Sequence, residues 1–211
     1  MTNIILLKHR GCKMSSNLYA MLFRMKYINR WSLMRCAMNE TLTQHSLETA
    51  FIAHALAVIT NEKLGGNINA DRTAVIAMFH DAPEILTGDL PTPVKHGSKN
   101  IESAYEEIEK EAIDVFVNMS PDFMKQTVVD VFSESDKEIL KLVKAADKIS
   151  ALIKCYDEKR AGNSEFDDAA SSTIASLQKL NCPAAKLFMD EFLDGFSLTL
   201  DKLKGDKLTN I

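Results

Sequence analysis

His80 and Asp81 stand side by side after the apolar stretch Ala74–Phe79, and Glu84 follows three positions later. Imidazole nitrogen and carboxylate oxygen are donor types that hold first-row divalent cations. A further carboxylate beside such a pair is the group type that moves protons during hydrolysis. Burying an ionisable side chain without a partner is costly, so three of them on one apolar segment make poor core. An HD dipeptide alone is common by chance; HD-x-x-E after an apolar run carries more weight.

Asp147 poses the same problem. Leu140, Val143, Asp147 and Ala151 fall at i, i+3, i+7 and i+11, which puts a carboxylate on an apolar stripe. Lys144 or Lys148 could pair with it, or it could complete a metal shell. His45 shares a face with Ile52 and Leu56, whereas His54 lies with Leu47, Ala50, Phe51, Ala55 and Val58. At about 100° per residue the two histidines point in opposite directions, so one ion does not take both. Taken alone, either fits a core or boundary position. His45, His80, Asp81 and Asp147 come from three helices that a bundle can bring together. Two imidazoles and two carboxylates suit a divalent ion with water positions open, where the pKa of a bound water drops from about 15.7 toward about 7.

The elements that must position these groups read as helices. Leu18, Met21, Leu22, Met25 and Ile28 mark a first amphipathic helix. A second is predicted over Thr43–Leu64, stopped by Gly65-Gly66 and, being apolar nearly all round at Ala50–Ile59, buried. A third is predicted over Asn69–Thr87, on which Thr73, Ile76, Ala77, His80 and Glu84 share a face. Pro91 and Pro93 bar helix in the loop after Gly88. Ile101, Tyr105, Ile108, Ala112, Val115 and Met119 mark a fourth helix. Ser120-Pro121 reads as an N-cap opening a fifth, and Ser135-x-x-Glu138 as a capping box opening a sixth that reaches Arg160. Two more helices are predicted over Phe166–Leu180 and Pro183–Leu203. The expected fold class is all-α, one helical bundle over residues 16–211 behind a flexible leader, residues 1–15, in which Met14 could be an alternative start.

Composition agrees. Apolar residues make up 46% and charged residues 26% of 211, the balance of a globular chain. With 8 glycines and 5 prolines, breakers are scarce, which favours long helices. The net charge of −4 and the lack of a basic stripe argue against a nucleic-acid polymer as partner. No apolar run approaches a membrane span. Four scattered cysteines without a C-x-x-C suit a reducing, cytoplasmic setting.

The H…HD…D pattern of His45, His80-Asp81 and Asp147 resembles the signature of HD-domain metal-dependent phosphohydrolases. The closer likeness is to the YfbR-type bacterial 5′-deoxynucleotidases. It is carried by Ile28-Asn29-Arg30-Trp31, Gln44-His45-Ser46-Leu47, Gly65-Gly66-Asn67 with Asn69-Ala70, and above all the run from His80 to Lys95. The resemblance extends from about Leu18 to about Asp201, and its last third rests mainly on Ala146-Asp147. Pro83 departs from the motif, which has a small polar residue there; a proline near a helix end need not remove a ligand.

The resemblance implies an HD-domain helical bundle, usually a homodimer, that hydrolyses deoxyribonucleoside 5′-monophosphates to nucleoside and phosphate. It implies one divalent transition-metal cation, cobalt, manganese or similar, held by His45, His80, Asp81 and Asp147. Glu84, with Asp81, takes the catalytic role. Arg30, Trp31, Asp89, Leu90, Pro91 and Thr92 match the substrate-contacting segments, with Asp81 and Asp147 adjoining them. An arginine forks onto a phosphate where a lysine is a point charge, and Lys95 beside the site could add positive potential. An indole against C2′ would leave no room for a ribose hydroxyl. Two other readings stay open: a deoxynucleoside triphosphate hydrolase, which would need more basic groups than Arg30 and Lys95, and a non-catalytic HD-domain nucleotide sensor. A cyclic-nucleotide phosphodiesterase usually needs two metals, and His96 is the spare histidine near the site.

Overall fold

The second helix shows how closely local chemistry sets the boundaries. The Thr41 hydroxyl accepts the backbone N–H of Gln44, and the Gln44 side chain accepts the Thr41 N–H at 2.8 Å, a reciprocal capping box. At the other end Gly65 adopts φ 72°, a left-handed conformation that suits glycine. Between them helix α2 runs Leu42–Leu64. The computed structural model describes residues 15–95 and 98–204, with Thr92 and Pro93 described by backbone alone. The expected leader, except Ser15, and His96 lie outside the described residues.

Before α2 comes helix α1, Leu18–Leu22, which tightens into a 3-10 turn over Phe23–Tyr27. After it follow α3 (Ala70–Phe79), α4 (Glu84–Thr87), α5 (Thr92–Lys95), α6 (Lys99–Met119) and α7 (Lys125–Phe132). The chain then enters α8 (Lys137–Arg160), α9 (Asp167–Leu180), α10 (Pro183–Phe192) and α11 (Leu200–Lys204). The described residues form no strand, only an isolated bridge between Asn29 and Thr41. The all-α expectation holds.

Helix α2 packs on α3, α8 and α10, and α8 also carries α9. Ala53 and Ala57 of α2 share the main core with Ala145 and Ala146 of α8, all without exposed surface. Small side chains on facing surfaces let helices approach closely. A second apolar cluster joins Leu18, Leu22 and Met25 to Leu42, Ala82 and Phe116, with Phe79 and Phe132 packed against it. Phe132 stacks on Phe116 at 5.8 Å between ring centres and meets Phe79 edge-on. His80 and Asp81 therefore sit at the seam of two cores, with Ile76 and Ala77 in one, Phe79 and Ala82 in the other.

Several boundaries differ from expectation. The helix predicted over Asn69–Thr87 breaks at His80–Pro83, and its two parts are α3 and α4. Pro83 has no N–H to donate to Phe79, the carbonyl of Phe79 accepts Ala82 instead at 3.0 Å, and Glu84 bonds back to Asp81 at 3.0 Å. Arg30 and Trp31 are not at a helix end but in a loop, where the Arg30 N–H reaches the Glu40 carbonyl at 2.9 Å. The α2 stripe through Leu47, Phe51, His54 and Val58 faces outward; the buried face carries His45, Thr49, Ile52, Ala53 and Leu56. Ser120 closes α6 rather than opening α7: its N–H returns to the Val117 carbonyl, its hydroxyl donates to the Phe116 carbonyl at 2.7 Å, and α7 starts at Lys125. The cap of α8 is Asp136, whose carboxylate accepts the N–H groups of Glu138 and Ile139. The last predicted helix ends at Phe192, passes through a 3-10 turn over Leu193–Ser197, and resumes as α11.

This capping assignment is checkable. Asp136→Ala should lower stability by about 1 kcal/mol, whereas Ser135→Ala should change it by a small fraction of that. Urea midpoints of the two variants decide between them.

Candidate functional site

Helix α2 delivers His45 with no exposed surface. Its Nδ1 lies 3.1 Å from the Ser150 hydroxyl of α8, and its Nε2 lies 3.4 Å from Asp81 Oδ2 and 3.1 Å from Asp147 Oδ1. The Ser150 hydroxyl is also 3.5 Å from Glu48 Oε2. The Ser150 hydroxyl can donate to Nδ1 or accept from it, so in the metal-free chain Nε2 is able to donate to Asp147, whereas a cation between these groups would take the Nε2 lone pair. Burial pushes the His45 imidazole below its ordinary pKa, so it is neutral near pH 7 and able to ligate.

The turn after α3 presents His80 the same way. Its Nδ1 donates to the Ala77 carbonyl at 2.7 Å, and its Nε2 is buried without a hydrogen-bond partner, 3.1 Å from Asp81 Oδ1 and 4.0 Å from Asp147 Oδ1. Donor atoms of His45, His80 and Asp81 lie within 4.8 Å of one another and could hold a metal ion. Asp147 faces both imidazoles, so the fourth expected residue is at hand. Its partners are those imidazoles, while no ion pair with Lys144 or Lys148 forms. Burial works to raise the Asp147 carboxyl, but the hydrogen bond with His45 and the charge of Arg30 hold it well below the usual range. Converging lone pairs and an orphaned imidazole nitrogen are the donor set a divalent cation satisfies.

Glu84 opens α4 beside this set, 8% exposed, with Oε2 buried and unpartnered. Burial, then the charges of Asp81 and Asp89, push its carboxyl up to about 9, so it is protonated at neutral pH. Asp89 is also raised, by burial first, while Arg30 and the Trp31 backbone N–H act against the shift. Leu90 and Pro91 follow it, half-buried, and lead the chain into α5, where Thr92 stands.

Arg30 reaches Asp81 Oδ2 with Nη1 at 3.2 Å. Burial opposes its charge, but Asp81, Glu40, Asp147 and Asp89 together raise its pKa. Trp31 adopts φ 60° and donates its indole N–H to Glu40 at 2.7 Å. Lys95 is paired with Glu109 at 2.8 Å and lies over the Tyr105 ring, and its charge still reaches Glu84, where it works against the upward shift. His54 stays outside the site, 3.8 Å from Asp71. Sequence reasoning missed Glu40, Ser150 and Glu48. Ser150 carried a signal, a hydroxyl one turn beyond Asp147; Glu40 sits in an aperiodic loop and carried none.

An all-helical bundle that seats His45, His80-Asp81 and Asp147 in this way is an HD domain. Solved structures share the fold: an HD-domain phosphohydrolase from Listeria innocua (TM-score 0.74, 20% identity, 88% of this chain and 92% of that one) and the HD phosphohydrolase of cyanophage S-2L (TM-score 0.61, 15% identity, 85% and 96%). The latter is described as bound to dA and one catalytic Zn²⁺ ion. The family profile described as 5′-deoxynucleotidase YfbR-like matches residues 17–196, and the chain belongs to that family. The 5′-deoxynucleotidase YfbR of Shigella boydii is 44% identical over 194 residues, covering 90% of this chain and 97% of its own. The Photorhabdus temperata 5′-deoxynucleotidase is 42% identical over 193 residues, covering 90% and 98%.

The protonation of Glu84 has a consequence for stability. A carboxyl raised from 4.5 to about 9 in the folded chain stabilises the fold fully below the lower value and loses that contribution as pH rises toward the upper one. Glu84→Gln keeps the shape and removes the titration. In metal-free protein from pH 7 to 9, the native chain should lose stability relative to the variant by up to about 1.4 kcal/mol per pH unit. Parallel urea midpoints across that range would mean that Glu84 is already ionised at pH 7.

Proposed function

We propose that this chain is a metal-dependent 5′-deoxynucleotidase, releasing phosphate from deoxyribonucleoside 5′-monophosphates, with His45, His80, Asp81 and Asp147 as the ligands of one divalent transition metal. The observation that carries the reading is the buried, unpartnered Glu84 oxygen beside the converging donors of His45, His80 and Asp81. The family membership and the named activity of the relatives supply the substrate class. Zinc, named for the cyanophage protein, joins cobalt and manganese as the candidate ion.

A bound divalent cation supplies Lewis acidity and makes a water more acidic at neutral pH. The chain's own residues do the rest. Glu84, whose carboxyl burial raises, donates a proton to the departing 5′ oxygen, and Asp81 holds both Arg30 and the ligand set in register. Arg30 takes the phosphate with the guanidinium edge that Asp81 leaves open. Trp31 and Asp89 bound the sugar, the indole excluding a 2′-hydroxyl by shape, with Leu90 and Pro91 forming the adjoining wall and the chain continuing into Thr92. With Lys95 committed to Glu109, Arg30 remains for one phosphate, which favours the monophosphate over a triphosphate.

We further propose that the enzyme works as a homodimer. Phe51 is 67% exposed and lines a pocket together with Phe196, which also walls a neighbouring cavity of about 610 Å³ with Phe188, Phe192, Leu198 and Leu203. A second copy is the occupant that buries such an apolar face. Phe51→Glu should shift the mass measured by light scattering from dimer to monomer; an unchanged mass places the contact elsewhere. No helix among the described residues is long and apolar enough to cross a membrane. Unpaired Cys36, Cys155 and Cys182 suit the cytoplasm.

The deciding experiment is phosphate release from a panel of mono- and triphosphates, ribo and deoxy, across several metals, combined with metal analysis of variants. His80→Ala and Asp81→Ala should lose both the ion and the activity. Glu84→Ala should keep the ion and lose about 10²–10⁴-fold in kcat. Full metal occupancy in the first two would remove the ligand assignment, and a near-native rate in the third would leave Glu84 a structural role.

A further inference from the structure

Trp31 is held in a backbone conformation, φ 60°, that bulky side chains rarely adopt. Such strain persists where the surroundings over-determine it. The Trp31 backbone N–H acts on the Asp89 carboxylate, working against its upward shift, and the indole packs edge-on against Phe166 at 5.1 Å between centres. The third hold comes from Glu40. Its Oε2 accepts the indole N–H at 2.7 Å and lies 3.2 Å from Arg30 Nε, while its carbonyl accepts the Arg30 N–H at 2.9 Å. One residue thus grips both Arg30 and Trp31, and the Arg30 guanidinium lies 5.9 Å from the indole ring.

Glu40 is itself fixed. It is 6% exposed, and it directly precedes Thr41, the cap of α2. Two and three residues earlier, the N–H groups of Met38 and Ala37 donate to Glu158 of α8 at 3.2 and 2.7 Å. Glu158 also accepts Lys154 and Asn163. The loop that carries Arg30 and Trp31 is therefore braced from behind before it meets any ligand.

We propose that Glu40 is a positioning residue for sugar selectivity: its carboxylate sets the angle of the Trp31 indole and the reach of Arg30, so that 2′-hydroxyl exclusion depends on a group that touches neither sugar nor phosphate. This rests on the roles given to Arg30 and Trp31 above. Without Glu40 the indole loses its one directional bond and turns on its side-chain torsions, and the wall against C2′ softens. Arg30 loses the opposite charge 3.2 Å from its Nε, and its placement on a phosphate becomes less ordered.

The test uses the fact that Trp31 is the chain's single tryptophan, so intrinsic emission reports this one indole. The full chain, loaded with metal, is assayed with dAMP and AMP as Glu40→Ala, Glu40→Gln, Trp31→Phe and the Glu40→Ala/Trp31→Phe double variant. Glu40→Ala should alter tryptophan emission and leave metal content unchanged. It should cut the dAMP:AMP ratio of kcat/KM by about tenfold, a part of the roughly 10²-fold that an apolar pocket gives against a hydroxyl. Glu40→Gln keeps an acceptor for the indole and removes the charge beside Arg30, so it should raise KM for both nucleotides and keep the ratio. In the Trp31→Phe background, which has no indole N–H, Glu40→Ala should change the ratio by less than about twofold. The proposal is overturned if Glu40→Ala leaves emission and ratio at native values, or if its effect on the ratio is as large without the indole. Should Glu40→Ala not fold, Glu40→Gln decides, and native KM values for both nucleotides overturn the proposal. A native ratio in Trp31→Phe itself would instead refute the sugar role of Trp31, leaving the Glu40 grip to be judged on emission and KM.

Discussion

The site gathers more negative charge than the protein itself can neutralise, and much of the architecture follows from that imbalance. Asp81, Asp147, Asp89 and Glu40 all act on Arg30, while burial keeps the imidazole of His45 neutral. Carboxylates at such separations in a partly dry setting do not all stay ionised. The structure sorts them. Asp147, against His45 and within reach of Arg30's charge, keeps its negative charge. Glu84, deeper and facing Asp81 and Asp89, takes a proton. Two carboxyls pushed apart in this way can serve different roles at one pH, one as a charge for a cation, the other as a source of a proton.

Packing makes the imbalance possible. Ala53, Ala57, Ala145 and Ala146 let α2 and α8 share one core, and that approach brings His45 within 3.1 Å of Asp147. The break at Pro83 does the complementary work. Had α3 continued through it, His80 and Glu84 would have followed one helical face in fixed register. Instead the turn ties Ala82 to Phe79 and Glu84 to Asp81, so Ala82 enters the second cluster while His80 and Asp81 stay at the seam. Pro83 stands at this break and leaves His80 and Asp81 facing the shared donor cluster.

How much of this was legible in the sequence depended on whether a residue contradicted its surroundings. His80, Asp81, Glu84 and Asp147 stood out because charge on an apolar face demands a partner, and the structure brings them together. His45 did not stand out on its own; the family pattern selected it. The outward face of α2 was misread because Ala50–Ile59 is apolar on almost every side, which leaves periodicity nothing to choose between. The cap at Ser135 was misplaced by one residue because serine and aspartate offer similar acceptors and tertiary packing decides which is used; at Ser120 the serine closes α6 instead, and α7 opens behind Met124 with no side-chain cap. Glu40 was invisible: nothing local distinguishes an acid in a polar loop, and its partners are set only when Thr41 starts α2 and the chain folds back over Asn29.

That loop also ties the proposed substrate contacts Arg30 and Trp31 to the proposed ligand set. Glu158 would have a raised carboxyl from burial, but hydrogen bonds from Lys154, Ala37, Asn163 and Met38 overcome this and keep it ionised. It lies on α8, the helix that carries Asp147 and Ser150. The same rigid element therefore anchors Asp147 beside the imidazoles and, three turns on, the loop bearing Arg30 and Trp31. A displacement of α8 moves both together, whereas a loop tethered only at its ends would drift against the metal set. Holding groups in the right geometry is a large part of what an enzyme supplies, and for the site proposed above the buried Glu158 carboxylate provides that hold from behind the loop.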